Sequence, residues 1–206
     1  MSVPSDAPVA LKILVAGGFG VGKTTTVATI SEIEPLRTEG ALTDVGSVGD
    51  LVLLAPDKTE TTVALDFGRI TISDDLVLYL FGTPGQDRFS FMWDEIARGA
   101  VGAMVIVDTR RLDVSFPAID YCERRRIPFV ICINRFDGIA LHTGLEVRDA
   151  LAVADDVPVL IGDARERGDV KAVLTALVEH SLARARAARE GSTEPPPQDF
   201  GDQFLR

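Results

Sequence analysis

One stretch restricts this chain more than any other: Gly17-Gly18-Phe19-Gly20-Val21-Gly22-Lys23-Thr24, which has the spacing G-x-x-x-x-G-K-[ST]. Residues 11–16 ahead of it form a mostly apolar run that stops at the glycines. Residues 23–34 behind it read as a helix, closed by Pro35. Strand, glycine-rich turn and helix, in that order, is the context in which the motif has a mechanism. Glycines let the backbone curl so that successive N–H groups point at phosphate oxygens, and a helix starting near Gly22 adds its positive dipole end. Lys23 would reach the β- and γ-phosphates, and the Thr24 hydroxyl would ligate Mg²⁺. By average residue usage the four fixed positions match by accident in roughly one chain per hundred of this length. The flanking strand and helix make accident rarer. Gly18, Gly20, Val21, Gly22, Lys23, Thr24 and Thr25 are the expected nucleotide contacts in this segment.

The same rhythm continues along the chain. Residues 76–81, 102–107, 129–133 and 157–161 are short apolar runs, several rich in Val and Ile. Near-continuous runs of this kind suit strands buried on both faces, in a parallel sheet covered by helices. Residues 63–67 and 70–72 alternate instead, which fits an edge strand and admits an antiparallel one. Val170, Val173, Leu174, Leu177 and Val178 repeat at helical spacing and predict a closing amphipathic helix. The expected fold is α/β: a P-loop NTPase with a doubly wound, mainly parallel six-stranded sheet and helices on both faces. Residues 9–190 would form that domain, behind a flexible N-terminus (1–8). Residues 191–206, with three consecutive prolines, would form a disordered tail whose Phe200, Phe204 and Leu205 could dock on a partner. Residues 36–61, weakly periodic and acidic, read as a long functional loop.

The net charge of −10 repels phosphate backbones and anionic lipid, so nucleic acid and bare membrane are excluded as expected partners. No apolar run reaches the roughly 18 residues of a membrane span. The first eight residues lack a signal-peptide pattern, and the last residues offer no cysteine for prenylation. Cys122 and Cys132 have no paired spacing and read as reduced thiols. The expected location is the cytoplasm, with any membrane contact made through a partner.

A P-loop does not choose a base or a reaction. Behind the run 129–133 stands Asn134-Arg135-Phe136-Asp137, in a loop that a doubly wound sheet puts on the P-loop side. A carboxylate there accepts hydrogen bonds from N1–H and the 2-amino group of guanine. Adenine has neither donor and would leave the carboxylate unpaired.

These residues resemble the Ras-like small GTPases, whose fourth motif is Asn-Lys-x-Asp at this strand end. The resemblance implies that Asp137 sets guanine specificity, that Asn134 ties the base to the P-loop, and that Arg135 replaces the family's lysine by stacking on the base. Gly162-Asp163-Ala164-Arg165 occupies the place of the family's Ser-Ala-Lys, so Ala164 would offer its N–H to the base with Arg165 beside it. Gly82-Thr83-Pro84-Gly85-Gln86-Asp87 resembles the third motif, Asp-x-x-Gly-Gln. Gly85 would then sense the γ-phosphate, and Gln86 would be catalytic by orienting the attacking water, with Lys23 catalytic through its reach to the β- and γ-phosphates. Thr62 takes the place of the switch threonine that ligates Mg²⁺ beside Thr24, with Thr61 a close competitor, and residues 36–62 would order and disorder with the nucleotide.

Two departures bear on chemistry. Gly82 stands where the family has an aspartate near Mg²⁺, which argues against tight metal binding. Phe19 replaces a glycine beside the γ-phosphate, and no arginine lies between Thr38 and Thr62 to act as an internal finger. Turnover is therefore expected near the unassisted range of roughly 10⁻⁴ to 10⁻² per second. The resemblance, over residues 9–190, is to bacterial small GTPases of the MglA group and the CvnD-type GTP-binding proteins of conservon operons. It implies a GTP/GDP switch that hydrolyses GTP slowly and signals to a roadblock-type or other regulatory partner. Two alternatives stay open: a GTP-binding scaffold without useful hydrolysis, and a P-loop ATPase or phosphotransferase. Elsewhere, Arg124-Arg125-Arg126 reads as a solvated helix end, His142 and His180 lack metal-ligand spacing, and Phe91 and Trp93 read as core-packing aromatics.

Overall fold

The computed structural model describes residues 8–34, 36–37, 65–85, 92–136 and 142–190. In chain order they form β1 (Val9–Ala16), α1 (Lys23–Ile30), β2 (Leu36–Arg37), β3 (Asp66–Ser73), β4 (Leu76–Gly82), α2 (Trp93–Ala97), β5 (Ala100–Val107), α3 (Phe116–Arg125), β6 (Phe129–Asn134), α4 (Gly144–Leu151), β7 (Val159–Gly162) and α5 (Arg167–Glu190). The strands join in the order β2-β3-β4-β1-β5-β6-β7. β4, β1, β5, β6 and β7 run parallel, while β3 is antiparallel to β4 and β2 to β3. The six-stranded, mostly parallel α/β sheet expected from sequence is present. The two-residue β2 extends it at the antiparallel edge.

Period-two alternation divides the buried side chains between two cores. Ile13 and Val15 of β1 point to the side covered by α1 and α5, where they join Val27, Ile30, Val173 and Leu177. Leu14 and Ala16 point to the other side, covered by α2, α3 and α4, where they join Trp93, Ile96, Ile119, Cys122 and Val147. Trp93 is buried as expected, edge-on to Tyr121 at 5.1 Å. The helical repeat from Val170 to Leu177 lies in α5 and faces the sheet. Both cysteines are free and buried, and burial pushes each thiol up to about 12, which leaves them unreactive.

Two element ends, those of α1 and β7, differ from the sequence reading. As the alternation suggested, residues 66–67 and residues 70–72 lie on one antiparallel strand, β3, which runs through Gly68, where a Cβ would come within 2.8 Å of Val27 of α1. The glycine lets α1 lie close against an unbroken strand. α1 ends at Ile30 rather than residue 34, because Ser31 turns extended, its hydroxyl donating to the Ile33 carbonyl at 2.7 Å and accepting from Arg69 N–H at 3.3 Å. β7 begins at Val159 rather than residue 157, since Val157 N–H closes a turn on the Ala154 carbonyl and Pro158 has no N–H to offer a ladder. The arginine run closes α3 with exposed side chains, as expected, and Arg125 also pairs with Asp94, which accepts the Tyr121 hydroxyl at 2.9 Å. Residues 1–7, Phe91 and the tail 191–206 lie outside the described residues.

Leu177 is fully buried between α5 and the sheet. Leu177→Ala should cost about 2–5 kcal/mol of unfolding free energy, measured as a lower denaturation midpoint in urea with unchanged slope.

Candidate functional site

All the loops that follow the parallel strands β1, β4, β5, β6 and β7 leave the sheet at one edge, the carboxyl edge, where ligands bind in open α/β sheets. The loop after β1 is the glycine-rich segment. Its last glycine, Gly22, is the N-cap of α1 with φ 110°, and a Cβ there would come within 2.7 Å of the Asn134 amide nitrogen. Both the left-handed backbone and the close approach demand glycine. α1 then starts at Lys23, with the side chains of Thr24 and Thr25 exposed at the mouth.

Lys23 is buried at the centre of the cradle. Its Nζ donates to the carbonyls of Gly17 at 2.9 Å and Gly18 at 2.5 Å. Burial lowers its pKa to about 8, against the opposing pull of the Asp66 carboxylate. From the loop after β4, Gly85 closes on the same point: a Cβ would sit 2.5 Å from Lys23 Nζ and 2.9 Å from the Gly18 carbonyl oxygen. Any side chain there would enter the phosphate cradle. Thr24 Oγ1 donates to Asp66 Oδ2 at 2.6 Å.

The side expected to hold the base is built from the loops after β6 and β7. Asn134 is buried and uses both ends of its amide, Nδ2 donating to the Val21 carbonyl at 2.9 Å and Oδ1 accepting from Ala164 N–H at 3.0 Å. Arg135 Nη2 donates to Asp169 at 2.7 Å, and Asp169 also accepts Asp163 N–H at 2.9 Å. Arg165 forks onto Asp163 with bonds of 2.9 and 2.7 Å, and this pairing holds the Asp163 carboxyl down at about 2. From the loop after β5, Arg110 grips the buried Asp108 the same way, which holds that carboxyl below its ordinary range, and lies 4.0 Å over the Phe136 ring.

The structure thus brings together Gly18, Gly20, Val21, Gly22, Lys23, Thr24, Gly85, Asn134, Arg135, Ala164 and Arg165 at one edge. Thr62, Gln86 and Asp137 lie outside the described residues. Several residues at the site carried no role in the sequence reading, Asp66 and Arg111 among them. Asp66 reaches Thr24 across the sheet, and no linear pattern marks it. Arg111 donates from Nη2 to the carbonyl of Phe19 at 3.0 Å, placing a cation on the P-loop beside the exposed Phe19 ring. Its only signal in sequence is an arginine pair after an apolar run. Among the described residues no group of three His, Cys, Asp or Glu is arranged to hold a metal, and no helix is long and apolar enough to cross a membrane.

Comparison with known proteins agrees with this geometry. The family model described as "Conserved hypothetical ATP binding protein" matches residues 15–184. The chain belongs to this family. It is a P-loop nucleotide-binding domain, and the match spans every loop described above. Within curated proteins, MJ1339 of Methanocaldococcus jannaschii is 31% identical over 129 residues, 62% of this chain and 71% of that protein. Among solved structures, the cytosolic domain of the T. maritima FeoB iron transporter in apo form has a TM-score of 0.59 at 13% identity, covering 84% of this chain; the chain spans 64% of that domain's length. The G domain of the same transporter scores 0.57 at 16% identity, covering 84% of this chain and 99% of the G domain. A GDP form of the cytosolic domain scores 0.60 at 14% identity, covering 84% of this chain and 64% of that one. At such identities the likeness is one of fold, and the fold is that of G domains.

Two outcomes test this geometry. Asn134→Ala leaves the Val21 carbonyl and Ala164 N–H without their partner and should cost about 1–3 kcal/mol of stability, read by chemical denaturation of nucleotide-free protein. Lys23 binds its proton less tightly when folded (about 8) than its ordinary value of 10.5. The unfolded chain therefore holds more protons between these values, and stability contributed by this group rises with pH across that window. Relative to Lys23→Met, the nucleotide-free wild type should gain on the order of 2–3 kcal/mol between pH 7.5 and 10.5, measured by paired denaturation curves.

Proposed function

We propose that this protein is a GTP-binding switch that hydrolyses GTP slowly to GDP. The observation that carries the reading is Asn134, whose amide joins the P-loop at Val21 to the loop at Ala164. That bond fastens the loop bearing Arg135 and Asp137 to the phosphate cradle, so a base held there and phosphates held by Lys23 belong to one ligand. Asp137 supplies the acceptor that selects guanine, because a carboxylate pairs with N1–H and the 2-amino group and finds no such donors on adenine. The likeness of fold to a G domain supports the same choice.

The roles follow from chemistry. Lys23, tucked against the Gly17 and Gly18 carbonyls, exchanges those partners for phosphate oxygens, which are stronger charge-assisted acceptors. Gly85 approaches closely enough for its backbone to meet the terminal phosphate. Thr24, with Thr62, would hold Mg²⁺, which would supply neutralisation of phosphate charge. Gln86 orients the attacking water. Phe19, 66% exposed at the cradle's rim, crowds the approach of a finger from outside, and slow turnover follows. Resemblance to the MglA and conservon groups adds a regulatory protein, roadblock-type or other, as the reader of the loops containing Thr62 and Gln86, with any membrane recruitment made through it.

The description of the family favours ATP as the second reading. Calorimetric titration of nucleotide-stripped protein with GDP, GTP and ATP in Mg²⁺ separates the two. Guanine nucleotides should bind about a hundredfold or more tighter than ATP; equal or tighter ATP would replace the guanine reading by the second one. Single-turnover hydrolysis of bound GTP should then run at roughly 10⁻⁴ to 10⁻² per second. No turnover over hours would leave a GTP-binding scaffold.

A further inference from the structure

The third motif of this chain has glycine, Gly82, where a carboxylate would stand near the cation of a nucleotide site. Its neighbour supplies one. β3 runs antiparallel to β4, and in that register Asp66 is the direct partner of Gly82. Directly opposed residues share a face of the sheet, with Cβ atoms about 4.5–5.5 Å apart. The empty space beside Gly82 is filled by Asp66: a Cβ on Gly82 would lie 3.0 Å from Asp66 Cβ and 3.1 Å from its Oδ2. That same Oδ2 accepts the Thr24 hydroxyl at 2.6 Å.

We infer that Asp66 replaces, from the adjacent strand, the carboxylate that Gly82 lacks, and with Thr24 forms the divalent-cation pole of the nucleotide site. The donor set fits a hard cation, since both groups offer oxygen and Mg²⁺ is held by few protein oxygens plus phosphate and water. The hydrogen bond has the right polarity. A hydroxyl has one proton and two lone pairs. Giving the proton to Asp66 turns the lone pairs of Thr24 away from the carboxylate and raises the electron density on its oxygen, as outer carboxylates do for metal ligands. Gly82 suits this arrangement: a side chain there would crowd the carboxylate that substitutes for it. The absence of aspartate at position 82 therefore does not imply a weak cation site.

This inference rests on the nucleotide-binding reading, and the test keeps the two apart. GDP binding to the full chain is titrated calorimetrically in EDTA and in Mg²⁺, for wild type, Asp66→Asn and the exchange variant Asp66→Gly/Gly82→Asp, with circular dichroism and thermal midpoints as the check on folding. Electron paramagnetic resonance of Mn²⁺ added to the GDP-loaded proteins reads the cation directly. Wild type should bind GDP more tightly in Mg²⁺ than in EDTA. Asp66→Asn should lose roughly 10–100-fold of cation affinity while its affinity for GDP in EDTA stays within about twofold of wild type. The exchange variant, which returns the carboxylate to position 82, should regain most of the loss. Asp66→Asn that keeps the full Mg²⁺ gain and the Mn²⁺ signal, or that weakens GDP equally with and without cation, overturns the inference. Wild type that binds GDP with no dependence on Mg²⁺ overturns it while leaving the nucleotide site standing. Wild type that binds no nucleotide under either condition overturns both.

Discussion

The site depends on a single buried amide. Asn134 has one acceptor and one donor end, and the structure spends both on backbone: the Val21 carbonyl on one side, the Ala164 N–H on the other. Three loops that leave three different strands are thereby held as one surface. Burial makes the bonds matter, since a carbonyl and an N–H left unpaired away from water would each carry a desolvation cost. The P-loop's shape follows from the same contact, because Gly22 must be glycine to let the amide in. An ordinary polar loop at position 134 would leave the phosphate cradle and the base side as separate features.

Around that amide the charges are arranged in pairs, two within a loop and one between the loop after β6 and α5. Arg110 grips Asp108 and covers Phe136, Arg165 grips Asp163, and Arg135 reaches Asp169 on the first turn of α5. Each pair is partly open to solvent, so its contribution to stability is small. Its effect is geometric: planar guanidinium forks fix the direction of a loop more strictly than they deepen the fold. Lys23 differs from these arginines. It is buried against carbonyl oxygens, with no carboxylate hydrogen-bonded to it among the described residues, and burial lowers its proton affinity.

The antiparallel edge gives the sheet its second consequence. In an all-parallel sheet the start of a strand lies at the amino edge, away from ligands. β3 reverses direction, so its first residue, Asp66, stands at the carboxyl edge beside the last residue of β4. A chain-direction choice thus delivers a carboxylate to the nucleotide face. A reading of the third motif by itself misses this, because the carboxylate is displaced by one strand and not by one residue.

What the sequence determined by itself is what depends on neighbours along the chain. The glycine spacing and the Lys23-Thr24 pair specify a phosphate cradle because its N–H groups come from consecutive residues. The apolar runs specify buried parallel strands, and the 3.6-residue repeat in α5 specifies its buried face. Element ends were less legible, at Ser31 and Pro158, where one side-chain bond or one missing N–H decides the last turn. The tertiary structure alone decided which distant residues meet. Asp66 with Thr24 and Gly82, Arg111 with Phe19, and Asn134 with both Val21 and Ala164 are partners only because strand order and register bring them within hydrogen-bond reach. Register is a property of two strands together, set by which faces are buried, and no single segment of sequence contains it.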